Sequence, residues 1–314
     1  MILESFAAAA GVLGARYLAH RAILRGLRAP RVPHALQAAD LGLAPDRLHE
    51  VRIAGARGQA LVAWLVLPHS EPAQATAAPV PAVLVMHGWG GNAAMMAPVV
   101  PPLHAAGFAV LLIDARCHGR SDGEAFTSMP RFAEDIAAGL AWLRRQPGID
   151  GRRLALLGHS VGAAAALLHA SHHHDVRAVV SLSCFAHPQE VMRRLMAEKR
   201  VPYPVLGWYV LRHVQRVIGT RFDAIAPLHT ITRVRCPVLL VHGLHDRTVP
   251  FGDARRLQAA CTGARLLPVA GDHDLREALM PQADKLIDFL TRAFDDRRAP
   301  PAAARPYFPS PIAP

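Results

Sequence analysis

Lysine is almost missing from this chain of 314 residues: of 35 basic side chains only Lys199 and Lys285 are lysine, and the rest are arginine. With the heavy use of alanine, that skew looks more like codon bias than electrostatic design. The formal net charge of +11 is scattered from Arg16 to Arg305 without a basic block, and aromatics make up only 6%. A nucleic-acid surface would need clustered cations interleaved with stacking rings, so nucleic acid is not an expected partner. Cysteine is scarce as well. Cys117, Cys184, Cys236 and Cys261 form no CxxC pair and match no zinc-site spacing, so neither a structural metal nor a disulfide framework is expected and a reducing cytosol is the simpler setting.

Long apolar runs are lacking too. The uncharged stretch from Ser5 to Ala15 falls far short of the ~20 residues a bilayer span needs, and Glu4 stands where a signal peptide would be positive. Yet Phe6, Leu13, Tyr17, Leu24 and Leu27 recur at helical spacing among Arg16, Arg21, Arg25 and Arg28. Residues 1–33 therefore read as an amphipathic helix. It either lies on an anionic membrane, a peripheral place on the inner membrane, or packs on the protein's own surface.

What is abundant is apolar content: 52% hydrophobic against 19% charged supports a continuous core and argues against disorder. Two strands, His49 to Ala54 and Ala60 to Leu67, are expected around the Gly55 to Gly58 turn, followed by a Pro/Ala-rich connection from Pro68 to Pro79. Strand and helix patterns then alternate. Strands fit Val80 to Met86, Ala109 to Ile113, Arg153 to Leu157, Ala178 to Leu182, Pro237 to Val241 and Arg265 to Val269. Helices fit Ala93 to Ala106, Arg131 to Gln146, Val161 to Ala170, Gly252 to Ala260 and Leu275 to Phe294. Continuous apolar strands each followed by a helix imply a parallel sheet buried on both faces, which binds ligands beyond the carboxyl ends of its strands. Between two strands, 185–232 reads as a cap with helices at Pro188 to Arg200 and Pro204 to Ile218. The body is 34–296, and 297–314, with six prolines in 18 residues, reads as an extended tail.

Gly158-His159-Ser160-Val161-Gly162 lies where a strand gives way to an alanine-rich helix. A serine on so tight a turn takes a strained backbone, needs small residues at both glycine positions, and projects its hydroxyl above the sheet. Here the chain resembles the α/β-hydrolase superfamily over about residues 50 to 295. The resemblance implies a mostly parallel eight-stranded α/β sheet with helices on both faces and a short helical cap. It also implies the order serine, acid, histidine, and Asp246 in His242-Gly243-Leu244-His245-Asp246 and His273 in Gly271-Asp272-His273-Asp274 match it. His242 and His245 compete for the base but share the acid's loop. Asp272 and Asp274 compete for the acid but sit too close to His273 in sequence to orient it easily.

His87-Gly88-Trp89-Gly90-Gly91 resembles the superfamily's oxyanion loop, which implies backbone N–H donors at Trp89 and Val161. Substrate contact is expected from His87, Gly88, His159 and Trp208. The cap's Met192, Leu195, Met196, Trp208, Tyr209 and Leu211 line an acyl pocket or pack on the body. Asp114-Ala115-Arg116-Cys117-His118-Gly119-Arg120-Ser121 resembles the landmark DxRGxGxS, with Cys117 in place of glycine, and reads as a brace made by Asp114 and Arg116. His172-His173-His174 reads as a solvated helix end. The expectation is a serine hydrolase that cleaves an ester or thioester of a small acyl substrate through an acyl-enzyme, without a cofactor. Its rivals are a serine peptidase of the prolyl-oligopeptidase or aminopeptidase kind and a non-catalytic, membrane-associated binding protein.

Overall fold

The computed structural model describes residues 2–44, 46–68 and 78–296. The expected tail at 297–314, most of the Pro68 to Pro79 connection and the side chain of Phe6 lie outside the described residues.

Eight strands form one sheet: β1 (Leu48–Ala54), β2 (Ala60–Val66), β3 (Val80–Met86), β4 (Ala109–Ile113), β5 (Ile149–His159), β6 (Ala178–Leu182), β7 (Val238–Gly243) and β8 (Ala264–Val269). Their spatial order is β1-β2-β4-β3-β5-β6-β7-β8. β1 and β2 pair antiparallel, β2 joins β4 antiparallel, and every later pairing is parallel. Side chains alternate across a strand, so the parallel core needs apolar residues at every position to fill both faces. One face carries Leu84, Leu111 and Leu156, and the other Val83, Val110 and Ala155.

Most strand limits agree with the sequence reading. β5 is longer than expected because Ile149 continues its ladder by pairing with Val80 across a register shift. The helices are α1 (Ile2–Gly26), α2 (Val100–Ala105), α3 (Met129–Leu143), α4 (Val161–His173), α5 (Pro188–Glu198), α6 (Trp208–Ile218), α7 (Phe222–Ile225), α8 (Pro227–Thr230), α9 (Phe251–Ala260), α10 (Arg276–Leu279) and α11 (Ala283–Asp295). Two long helices anticipated from periodicity are broken. Ala93–Val99 is a 3-10 segment containing Pro98, and only Val100–Ala105 is α-helical. The stretch from Leu275 divides into α10, a 3-10 turn at Met280–Gln282 and α11. Pro98 and Pro281 lack the N–H an α-helix interior requires.

The cap has the two expected helices, α5 and α6, joined through a π turn at Tyr203–Gly207, and adds the short α7 and α8. Among the described residues, α1 meets the protein only through its last turns. Ile23 is buried with Leu211, Val214 and Phe222, Leu27 packs beside them, and the His20 and His213 rings hydrogen-bond at 2.9 Å. Leu13, Tyr17 and Leu18 stay exposed. Beyond α1 the chain runs as a strap over the carboxyl end of the sheet. Asn92 donates its side-chain amide to the carbonyls of Val32 and Pro33, Arg31 to that of Gly119, and the His34 ring bonds Asp114 at 2.8 Å.

Candidate active site

Strand order reverses at β3: β4 lies on one side of it and β5 on the other. Loops leaving neighbouring strands at such a point diverge to opposite faces and leave a crevice. The loops after β3 and β5 carry His87 to Gly91 and Ser160.

Ser160 has φ 52° and ψ −114°, in the positive-φ region that side chains other than glycine rarely enter. The strain persists because its surroundings allow nothing else. The Ser160 N–H donates to the Leu182 carbonyl at 2.8 Å, and its own carbonyl accepts from Ala164 in α4. A Cβ on Gly158 would lie 2.4 Å from the Gly162 carbonyl oxygen, and one on Gly162 would lie 2.4 Å from that of His87. Both glycines are therefore demanded by contact between α4, β5 and β3.

The Ser160 Oγ lies 3.1 Å from His273 Nε2, and His273 Nδ1 lies 2.8 Å from Asp246 Oδ2. The loops carrying acid and base are laced together: Leu244 donates to the Val269 carbonyl and His245 to that of Gly271, each at 2.9 Å. Asp246 has its side chain fully buried, and its other oxygen accepts from the N–H groups of Thr248 and Val249 at 2.9 and 2.7 Å. Burial raises its pKa, but the bonds from His273 and Val249 outweigh that and hold it below the ordinary carboxylate value. Asp246 is thus an anion facing an imidazole.

Two of the competing residues have other work. His242 donates Nε2–H to the Val249 carbonyl at 2.8 Å, and Asp272 caps the turn by accepting from the N–H of Asp274. Trp208 does not meet expectation: it is exposed, with the Arg212 guanidinium over its ring, and the cavity is walled instead by Val214 and Ile218. On α6 the inward stripe is Leu211, Val214 and Ile218, which turns Trp208 away.

His87 and His159 border the cavity, and both His87 ring nitrogens and Nε2 of His159 bond to backbone. His87 Nε2 accepts from the Ala115 N–H at 3.0 Å, so its proton sits on Nδ1 and goes to the Gly88 carbonyl. His159 donates Nε2–H to the His273 carbonyl at 2.8 Å, tying the nucleophile's turn to the loop that carries the imidazole. Burial drives both rings below the ordinary histidine value, His87 to about 3 and His159 to about 4, so both are neutral at physiological pH. Gly88 brings its loop against the serine, since a Cβ there would lie 3.2 Å from Ser160 Cβ.

The brace behind the site is shared out. Asp114 accepts from the N–H groups of Ala93 and Arg120, and the buried Arg116 forks onto Asp135 at 2.6 and 2.8 Å. Cys117, where the family pattern has glycine, takes φ 67° and so keeps the glycine-like turn at a conformational cost. Of the histidine run, His172 and His173 end α4 and His174 is its left-handed cap. Among the described residues no three His, Cys, Asp or Glu side chains gather in a way that could hold a metal ion.

Above Ser160 opens a cavity of about 530 Å³. Its walls include Met95, Met96, Phe185, Met192, Val214 and Leu279, and Gly26 and Leu27 from the end of α1 reach it too. Most of these were invisible in the sequence, because they come from six separate segments whose only common property is to converge here.

Residues 77–221 match the family described as "Serine aminopeptidase, S33". The fold also superposes on an esterase of Pyrococcus furiosus with a TM-score of 0.65, at 21% identity, covering 85% of this chain and 97% of that one. The fold is that of the α/β hydrolases. An uncharacterised protein of Mycobacterium tuberculosis is 33% identical over 197 residues, 62% of this chain and 63% of the relative, so the match spans less than two thirds of that relative's length. The esterase YjfP of Escherichia coli is 24% identical over 246 residues, 71% of this chain and 92% of its own. Within the superfamily architecture, the Ser160, His273 and Asp246 side chains meet above the carboxyl ends of β5, β7 and β8. Among the described residues no helix is long and apolar enough to cross a membrane.

Proposed function

We propose that the protein is a serine hydrolase that cleaves carboxylic esters or thioesters with an apolar acyl group, through an acyl-enzyme. The observation that carries this reading is the chain of contacts from Ser160 to His273 to Asp246, 3.1 and 2.8 Å long, opening into an apolar cavity. With Nδ1–H held by the anionic Asp246, His273 presents a bare Nε2 to the serine hydroxyl, the tautomer a general base needs. As Ser160 Oγ bonds to the acyl carbon its proton passes to Nε2, and Asp246 steadies the imidazolium. The carbonyl oxygen becomes an oxyanion, for which the N–H groups of Trp89 and Val161 are the candidate donors. Among the described residues neither is a donor in the loop and turn hydrogen bonds, and the closeness of Gly88 to Ser160 aims that loop at the reacting carbon. Collapse breaks the bond to the leaving group, which takes the proton from Nε2. Water then repeats the sequence, giving up its proton to His273 and releasing the acid.

The cavity favours ester over aminopeptidase chemistry. Binding a free α-ammonium calls for carboxylates in the pocket, and among the described lining residues the only candidate besides the triad region is Asp274, beside the base on the exposed side. Walls of Met, Leu, Phe and Val suit an acyl chain instead, and the volume falls in the ~300–1,000 Å³ range of small-molecule sites. The names of the esterases above point the same way.

A fluorophosphonate probe tests the nucleophile: wild-type protein labels and Ser160→Ala does not. Equal labelling of the two would overturn the reading. On p-nitrophenyl esters of increasing length, each methylene buried in the cavity should raise kcat/KM by about fourfold until the cavity is full. A preference for aminoacyl-p-nitroanilides would favour the peptidase instead.

A further inference from the structure

Apart from Leu36 and Leu244, the large apolar side chains left exposed among the described residues fall into three groups. Trp89, Met95, Leu195 and Met280 rim the cavity; Val205, Leu206 and Trp208 sit on the cap; Leu13, Tyr17 and Leu18 stand on α1. These three groups touch one another through the fold. The end of α1 packs on α6, α6 continues directly from the turn bearing Val205 and Leu206, and Arg193 of α5 lies over the Tyr203 ring of that turn. Leu27 at the end of α1 and Leu195 of α5 both border the cavity. The elements that carry these groups therefore pack on one another and reach the mouth of the candidate active site. Single exposed apolar residues need no explanation, but a contiguous set of this kind marks an interaction surface.

Cations of one sign surround it. Arg16, Arg21, Arg25 and Arg28 of α1 are exposed, and so are Arg193, Lys199, Arg200, Arg212 and Arg216 of the cap. Among the described residues none of the nine has a carboxylate partner, and Glu190, one of the few acids nearby, is held by both arms of Arg256. Arg21, Arg193 and Arg212 instead lie over the rings of Tyr17, Tyr203 and Trp208. Long apolar stems carrying cationic heads, next to Tyr and Trp, are the composition that settles at a headgroup boundary. A second copy of the chain would set arginines against arginines, and nucleic acid would gain nothing from Leu18 and Val205.

We propose that the protein docks on an anionic lipid bilayer through the outer face of α1 and the Tyr203–Trp208 turn of the cap, with the cavity mouth against the lipid. The part of this inference that concerns substrate rests on the hydrolase reading: the acyl chain passes from the bilayer into the cavity without crossing water. The strap after α1 makes the arrangement mechanical as well as positional, because the residues that follow the lipid-facing helix bond Asn92 beside the Trp89 loop and Asp114 behind it.

The test is flotation of the full chain with vesicles of phosphatidylcholine alone and of phosphatidylcholine with phosphatidylglycerol, at low and high salt. Wild-type protein should partition onto the anionic vesicles and be released by salt. Each cation near such a surface contributes about fivefold, so Arg21→Glu/Arg25→Glu should lower binding at least 25-fold. Leu18→Asp/Val205→Asp, both at exposed positions that cost no core packing, should also detach the protein while turnover of a short soluble ester is unchanged. Ser160→Ala should float like wild type, which keeps this outcome separate from that of the hydrolase reading. Failure of the wild type to float, equal binding to neutral and anionic vesicles, or undiminished binding of Leu18→Asp/Val205→Asp overturns the proposal. So does a stable dimer in solution that Leu18→Asp dissociates.

Discussion

Asp246→Asn separates what the acid does for the fold from what it does for the imidazole. One carboxylate oxygen accepts from the N–H groups of Thr248 and Val249, and the other accepts from His273 Nδ1 at 2.8 Å. In the asparagine variant the two backbone donors require an oxygen at the first position, so the amide cannot turn round and its NH₂ must face His273. Nδ1 then becomes an acceptor, the ring proton moves to Nε2, and the serine hydroxyl loses its base. A carboxylate-to-amide change of this kind costs roughly 10³–10⁴ in kcat. The turn bonds survive, so the loss of stability should stay near 1 kcal/mol, the scale of one exchanged hydrogen bond. Asp246→Ala removes the acceptor for two buried-side N–H groups as well and should cost about 2 kcal/mol or more. The assays are kcat on a soluble p-nitrophenyl ester and urea denaturation of the same preparations. If Asp246→Asn keeps kcat within tenfold of wild type, the tautomer argument is wrong. If it loses as much stability as Asp246→Ala, the assignment of the two oxygens is wrong.

The elbow predicts a coupled failure. Gly162→Ala puts a methyl 2.4 Å from the His87 carbonyl oxygen and 2.5 Å from that of Met86. Relief by moving α4 away from β3 should cost about 1–3 kcal/mol as overpacking and about 10² in kcat by misplacing the donor loop; near-wild-type kcat would refute the assignment of that loop. The buried histidines predict the acid limb of stability. His87 and His159 titrate near 3 and 4 when folded and near 6.5 when unfolded, so between those values the unfolded chain binds more protons and stability falls as pH falls. From pH 6 to pH 5 the two together should remove about 2 kcal/mol, full stability being present above pH 6.5. Urea midpoints at the two pH values check this, and a flat profile would show that these rings take up protons without unfolding.

Strand and elbow positions were legible in the chain because their determinants are local. A run such as Val80–Met86 must be apolar on both faces, and a turn such as Gly158–Gly162 must be small on both sides of its serine, whatever the rest of the molecule does. The order of Ser160, Asp246 and His273 was implied by the superfamily resemblance, and each lies just beyond an apolar strand. Helix continuity was less legible, because Pro98 and Pro281 break a periodicity that the apolar pattern alone would carry through.

Contacts between distant segments were decided only by tertiary structure. Nothing local distinguishes Trp208, which faces outward, from Val214, which walls the cavity; the difference is the face of α6 that meets Ile23 and Phe222. Nothing local links His159 to the His273 carbonyl, or His34 to Asp114, since each bond joins segments that the sheet brings together across scores of residues. Composition and spacing thus determined which elements form and which groups are chemically competent. The packing of helices on the sheet decided which of those groups meet and which apolar residues are left facing outward, because a side chain's neighbours are set by the register of elements far away in sequence.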